Sequence, residues 1–178
     1  MTQKGLVIVF TGEGKGKTSA ALGIALRACG HHMYVSMVQF VKSPTDSGEE
    51  RASERLKPEF ELITTGRGFV NIPGQTVPLP EHRQAAEEAF ALAQQRILSG
   101  FWDVVILDEI NVAVSLGLLD IARVIELLKK RAQKLHVVLT GRDAHPDLIA
   151  MADLVTEMRL VKHPYDDRGV PAQKGIDF

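Results

Sequence analysis

Thr11-Gly12-Glu13-Gly14-Lys15-Gly16-Lys17-Thr18 follows an apolar run at residues 5–10 without a gap and leads straight into a helix-forming run at 19–29. A glycine-rich turn between a buried strand and a helix lets successive backbone N–H groups converge, while the helix start adds the positive end of its dipole. That arrangement suits the oxygens of a triphosphate. Lys17 adds a mobile cation, and the Thr18 hydroxyl is placed to ligate Mg²⁺. Thr11 stands where the strict GxxxxGK[ST] pattern has its first glycine, with Gly12 beside it. The stretch therefore reads as a variant P-loop in which Gly12, Glu13, Gly14, Lys15, Gly16, Lys17 and Thr18 hold a nucleoside triphosphate.

Outward from this loop, further apolar runs alternate with helical patterns. Strands are expected at residues 5–10, 34–40, 60–64, 104–107, 136–140 and 154–158. Their nearly continuous hydrophobicity predicts parallel strands covered on both faces. Ala86, Phe90, Ala93 and Ile97 share one face of a helix that begins near Pro80, and Ile121, Val124, Ile125, Leu128 and Ala132 share one face of another. The expected fold is α/β: a P-loop domain with a mostly parallel sheet and helices on both faces. With 178 residues, 45% of them hydrophobic, one domain over residues 1–178 is expected.

The bulk numbers disfavour other classes. Lys plus Arg (21) nearly balance Asp plus Glu (22), so no basic excess is available for a nucleic-acid backbone. No apolar stretch is long enough for a bilayer, and the first residues do not resemble a signal peptide, so a cytoplasmic protein without membrane contact is expected. The single cysteine, Cys29, lies in an apolar helical run and reads as a buried thiol.

A second chemical signal is Val104-Val105-Ile106-Leu107-Asp108-Glu109, an apolar strand ending in two acids. In parallel α/β sheets ligands sit at the carboxyl ends of the strands, so Asp108 and Glu109 are expected on the same edge as the P-loop, holding Mg²⁺ directly or through water. Thr140-Gly141-Arg142-Asp143 ends another strand, and Arg142 there reads either as a phosphate contact or as a salt-bridged surface residue. The six histidines lack metal-ligand spacing. Trp102 reads as an edge-of-core residue. Residues 41–58 and 65–80 break the βα rhythm, and loops of that size usually bind something. The tail, 161–178, is irregular and rich in Pro, Gly and charge. No segment clearly supplies a kinase-type arginine lid, although Arg51, Arg55, Arg67 and Arg83 lie in irregular regions.

With these residues in hand, the chain resembles the P-loop corrinoid adenosyltransferases, the ATP:cob(I)alamin adenosyltransferase family of vitamin B12 synthesis and salvage. The resemblance is carried over nearly the whole chain by the P-loop, Ala28-Cys29-Gly30-His31, Val38-Gln39-Phe40-Val41-Lys42, Gly66-Arg67-Gly68-Phe69, Leu107-Asp108-Glu109, Thr140-Gly141-Arg142-Asp143, Val161-Lys162-His163 and Lys174-Gly175-Ile176-Asp177. It implies a RecA-like domain that binds ATP in reversed orientation, the loop gripping the γ-phosphate and the tail forming part of the site region. A corrinoid reduced to Co(I) would attack the ribose C5′ and release triphosphate, with Lys17 and Phe69 in catalytic roles. By the same resemblance Phe69 would sit under the corrin and exclude its lower axial ligand. Related enzymes with this loop can carry a tryptophan where this sequence has Asn71. The chain would also lack the N-terminal extension that some relatives lay over the site. The resemblance further implies a homodimer and an electron-donating flavoprotein reductase as a partner. Two rival classes remain at this stage: a P-loop kinase or phosphohydrolase, and a nucleotide- or corrinoid-binding module without turnover.

Overall fold

The computed structural model describes residues 4–42, 47–68 and 77–177. Chain order is β1 (Val7–Thr11), α1 (Lys17–Cys29), β2 (Val35–Gln39), α2 (Gly48–Arg55), β3 (Phe60–Thr64), α3 (Leu79–Leu98), β4 (Val104–Asp108), α4 (Ile110–Ser115), α5 (Ile121–Lys129), β5 (His136–Thr140), α6 (Pro146–Met151), β6 (Leu154–Glu157) and α7 (Pro164–Arg168). The six strands form one sheet in the order β3-β2-β4-β5-β1-β6, and each neighbouring pair is parallel.

Period-2 alternation sorts the strand residues between two cores. Val7, Val9, Val38, Val105, Leu107, Val137 and Leu139 point to the face covered by Ala86, Phe90, Ala93 and Ile97 of α3 and by Val124 and Leu128 of α5. Ile8, Phe10, Val35, Met37, Val104, Ile106 and Val138 point to the other face, where Ala21, Ala25 and Ala28 of α1 lie. Small residues on that helix let it approach the sheet closely. Continuing the alternation by one step places Thr64, Gln39, Asp108 and Thr140, each at its strand's carboxyl end, on the α1 side. The fold thus delivers four polar side chains to one edge under the start of α1.

The expected strands are all present, with ends shifted by one or two residues. The first begins at Val7 and runs through Thr11, and the fourth extends to Asp108. Ala132 lies beyond the end of α5 and is exposed, so the second helical face stops at Leu128. Within 41–58, expected to be irregular, residues 48–55 form α2. Its capping box is complete: Ser47 Oγ accepts from the Glu50 N–H while the Glu50 carboxylate accepts from the Ser47 N–H. Trp102 packs edge-to-face on Phe101 at 5.0 Å beside the core, as a boundary residue should. Cys29 is half-buried, and burial raises its thiol pKa.

β5 lies between the P-loop strand β1 and the acidic strand β4, so its side chains set the spacing of the two site elements. Leu139 is fully buried. Leu139→Ala is expected to cost about 2–5 kcal/mol, seen as a lower urea midpoint at unchanged m-value.

Candidate functional site

The loop between β1 and α1 is shaped by the backbone just after β6. The Gly14 N–H donates to the Met158 carbonyl at 2.7 Å, and the Met158 N–H donates to the Thr11 carbonyl at 2.8 Å. A Cβ on Gly12 would fall 2.6 Å from the Met158 carbonyl oxygen, and Gly12 has φ +92°. Position 12, not 11, therefore carries the left-handed conformation, which explains why Thr11 is tolerated. Thr11 instead accepts the Ala144 N–H on its hydroxyl at 3.2 Å, tying the loop to the segment after β5. Gly16 caps α1 with φ 110°, and no acid occupies the helix's first turn.

Lys17 is buried at the loop's centre and donates to the Gly12 and Gly14 carbonyls at 2.6 and 2.7 Å. Burial lowers its pKa, with Glu109 opposing and Arg142 assisting. The Thr18 hydroxyl donates to Asp108 Oδ1 at 2.9 Å. Asp108 is wholly buried, and the same oxygen accepts from the Thr140 hydroxyl at 2.7 Å. Its other oxygen accepts from Gln39 Nε2 at 3.1 Å and lies 3.5 Å from Lys42 Nζ. Glu109 takes φ 64°, and its N–H donates to the Thr140 hydroxyl. This left-handed turn at the strand end swings the Glu109 carboxylate into the cleft while Asp108 stays beneath it. Burial and the nearby Asp108 charge raise the Glu109 pKa, partly offset by Lys42, Lys17 and Arg142.

These groups border a cleft of about 740 Å³ that runs from the P-loop to α2. The expected residues Glu13, Gly14, Lys15, Gly16, Lys17, Thr18, Glu109 and Arg142 all line it. Arg142 pairs with Glu13 across the loop mouth at 3.1 Å. Phe69 and Asn71 lie outside the described residues. Lys42, part of the 38–42 segment but given no site role by the sequence, pairs with Glu49 of α2 at 3.2 Å and with Asp108. Burial would depress the Lys42 ammonium, but these carboxylates outweigh it and raise its pKa. The tail also reaches the site: His163, Gly175, Ile176 and Asp177 line the cleft, and Asp177 forms an ion pair with Lys15. The Thr18 hydroxyl and the Glu109 carboxylate line the cleft as hard oxygen donors that suit Mg²⁺, whereas Asp108, expected there as well, lies wholly buried beneath Thr18 with both oxygens already bonded.

A family model described as ATP:corrinoid adenosyltransferase BtuR/CobO/CobP matches residues 3–178. The chain belongs to this family. It is 40% identical over 176 residues to a corrinoid adenosyltransferase of Pseudomonas aeruginosa, covering 99% of this chain and 85% of the relative. It is 38% identical to those of Escherichia coli and Salmonella typhimurium, covering 99% of this chain and 87% of each. Among solved structures, the flagellar accessory protein FlaH of Methanocaldococcus jannaschii aligns with TM-score 0.54 at 13% identity, over 87% of this chain and 71% of that one. A KaiC-like protein of Pyrococcus horikoshii aligns with TM-score 0.53 at 15% identity, over 90% and 75%. At such identities these two speak for the fold alone, which is the expected RecA-like P-loop arrangement.

In this adenosyltransferase-family chain the raised pKa of Glu109 has a stability cost of definite sign. A carboxyl whose folded pKa lies above its ordinary 4.5 favours folding below that value, and this contribution is lost as pH rises through the folded pKa. Glu109→Gln is therefore expected to match the wild-type melting temperature near pH 4 and exceed it increasingly above pH 4.5, levelling off once Glu109 is ionised. Melting curves across that pH range check the sign.

Proposed function

We propose that the protein is an Mg-ATP-dependent corrinoid adenosyltransferase. It transfers the 5′-deoxyadenosyl group of ATP to Co(I) of a corrinoid and releases triphosphate, in adenosylcobalamin biosynthesis or salvage. The observation that carries this reading is the family match over residues 3–178 together with a P-loop that opens onto a cleft lined by cations.

The chemistry asks little of acids and bases. Co(I) supplies an electron pair to C5′ that becomes the cobalt–carbon bond, and the pair of the broken C5′–O bond leaves on triphosphate. No proton is transferred at the reacting carbon, so no general base is required. What remains for the protein is alignment and stabilisation of the charge that grows on the leaving triphosphate. The loop amides and the start of α1 are directed at the phosphates. Lys17 exchanges its carbonyl partners for phosphate oxygens, and Arg142 leaves Glu13 for the same anion. Thr18 and Glu109 would hold Mg²⁺, with Asp108 orienting the Thr18 hydroxyl from below. When bound, Mg²⁺ neutralises phosphate charge. Phe69 would face the corrin and disfavour a lower axial ligand, easing reduction to Co(I). A cytoplasmic homodimer served by a flavoprotein reductase completes the proposal, consistent with the lack of any membrane-length apolar helix among the described residues.

Incubation with ATP, Mg²⁺ and chemically reduced cobalamin is expected to yield adenosylcobalamin and triphosphate in equal amounts. ADP or orthophosphate would instead indicate a kinase or phosphohydrolase, and intact ATP a binding module. In the same assay Lys17→Ala is expected to lose about 100-fold or more in rate together with ATP affinity. Phe69→Ala should keep ATP affinity and slow adenosylation.

A further inference from the structure

The parallel register aligns three side chains at the carboxyl edge. Gln39 of β2 pairs with Thr64 of β3 on one side and with Asp108 of β4 on the other. Gln39 is 2% exposed, and both ends of its amide are used. Nε2 donates to Asp108 Oδ2 at 3.1 Å, and Oε1 accepts from the Thr64 hydroxyl at 2.9 Å. The partners fix this orientation, because an ionised Asp108 can only accept and the amide oxygen can only accept. The row does not stop there. Asp108 holds the Thr18 hydroxyl of the P-loop, and Thr64 Oγ1 lies 3.2 Å from Glu50 Oε1 of α2.

The segment that leaves β3 is fastened to the same residue. Thr65 donates to the Gln39 carbonyl from both its hydroxyl, at 3.1 Å, and its N–H, at 3.3 Å. Gly66 then presses on the strand's exit, where an added Cβ would fall 2.4 Å from the Lys42 carbonyl oxygen. Val41, Lys42, Glu49 and Ala52 line the cleft, and Lys42 contacts Asp108 directly. The buried Gln39 amide joins Asp108, under the P-loop helix, to the segment that leaves β3.

We infer that Gln39 is a positioning residue that couples nucleotide binding at Thr18 to corrinoid affinity, acting through Asp108 on one side and Thr64-Thr65 on the other. This rests on the adenosyltransferase reading and adds to it a route between the two substrates. A Thr18 hydroxyl that offers its lone pair to a nucleotide-bound cation keeps donating to Asp108 Oδ1 and draws that oxygen with it. The carboxylate then adjusts its bonds to Thr140, Gln39 and Lys42, and Gln39 carries the shift to Thr64 and Thr65. In a buried, fully bonded row such changes cannot be absorbed by water. Coupling between two ligands is reciprocal, so each substrate tightens the other by one factor.

The test is anaerobic titration with cob(II)alamin, which lacks the nucleophilic Co(I), with and without saturating Mg-ATP. The wild-type protein is expected to bind cob(II)alamin about tenfold more tightly with Mg-ATP, and ATP more tightly by the same factor with cob(II)alamin. Gln39→Met, close in shape but without donor or acceptor, is expected to bring that factor to within about twofold of one while ATP affinity alone changes less than about threefold. Gln39→Glu should do the same, since it sets a second carboxylate against Asp108. Thr64→Val leaves Asp108 and Gln39 bonded and cuts only the far link. It should also abolish the coupling, and it decides the matter if the Gln39 variants do not fold. A wild-type factor of one, or a Thr64→Val factor equal to a wild-type factor above one, overturns the inference. If those results come with normal formation of adenosylcobalamin, only the coupling route fails. If the wild-type protein neither binds cob(II)alamin nor makes adenosylcobalamin, the functional reading falls with it.

Discussion

The structure is organised around a carboxylate that no water reaches. Asp108 is wholly buried at the end of β4, and an ionised carboxylate in such a place is costly unless its lone pairs are filled. Its four partners come from three separate parts of the chain: Thr18 at the start of α1, Thr140 at the end of β5, and Gln39 at the end of β2 with Lys42 just beyond. The need to satisfy one anion thus fixes the P-loop helix, two neighbouring strands and the entry to α2 with respect to each other. Replacing any one donor would leave the others to carry a buried charge, which is why the arrangement is stiff.

The same anion explains how work is divided between two adjacent acids. β4 can present only alternate residues to the α1 face, so Asp108 points under the helix. Its successor would point the opposite way in a continued strand. Glu109 leaves that pattern by a left-handed backbone step, held through its N–H on Thr140. Asp108 is then structural support for Thr18, and Glu109 is the acid that the cleft sees. Such a step costs roughly 1–3 kcal/mol at a non-glycine residue, and strain of this kind is retained where a side chain must be aimed.

Much of this was legible in the sequence. The P-loop, its strand and its helix could be read because Gly and Lys spacing and apolar runs are local signals. The six strands were legible for the same reason, and α3 by its 3.6-residue period. α2 was not, because Gly48-Glu49-Glu50-Arg51-Ala52-Ser53-Glu54-Arg55 has no apolar stripe, and only the Ser47-to-Glu50 capping box marks it. Ala132 kept the helical period past the end of α5, since periodicity does not show where hydrogen bonding stops. The roles of Asp108 and Glu109 could not be separated from an Asp-Glu pair alone, as the difference lies in one backbone dihedral. Gln39 and Lys42 gain their partners from strand register, which no single segment contains. The tail's place at the site was legible only through the family resemblance, because the contact that brings it there joins Lys15 to Asp177, 162 residues apart.

The cleft's charges also show how a site can attract a highly charged ligand without holding a large net positive field. Lys15 is matched by Asp177, Arg142 by Glu13, and Lys42 by Glu49 and Asp108, so the overall charge of −1 is reproduced in miniature at the site. An entering triphosphate competes with carboxylates for cations already positioned by them, so less reorganisation is left for the moment of bond breaking. Two of these pairs, Lys15 with Asp177 and Arg142 with Glu13, join the loop to other segments. The cations of those two pairs are more than half exposed, whereas Lys42 is held by two acids, one of them directly beneath Thr18. In the proposed reaction the exposed cations are the ones placed to exchange partners for phosphate, while Lys42 stays on the buried acid that supports the P-loop helix.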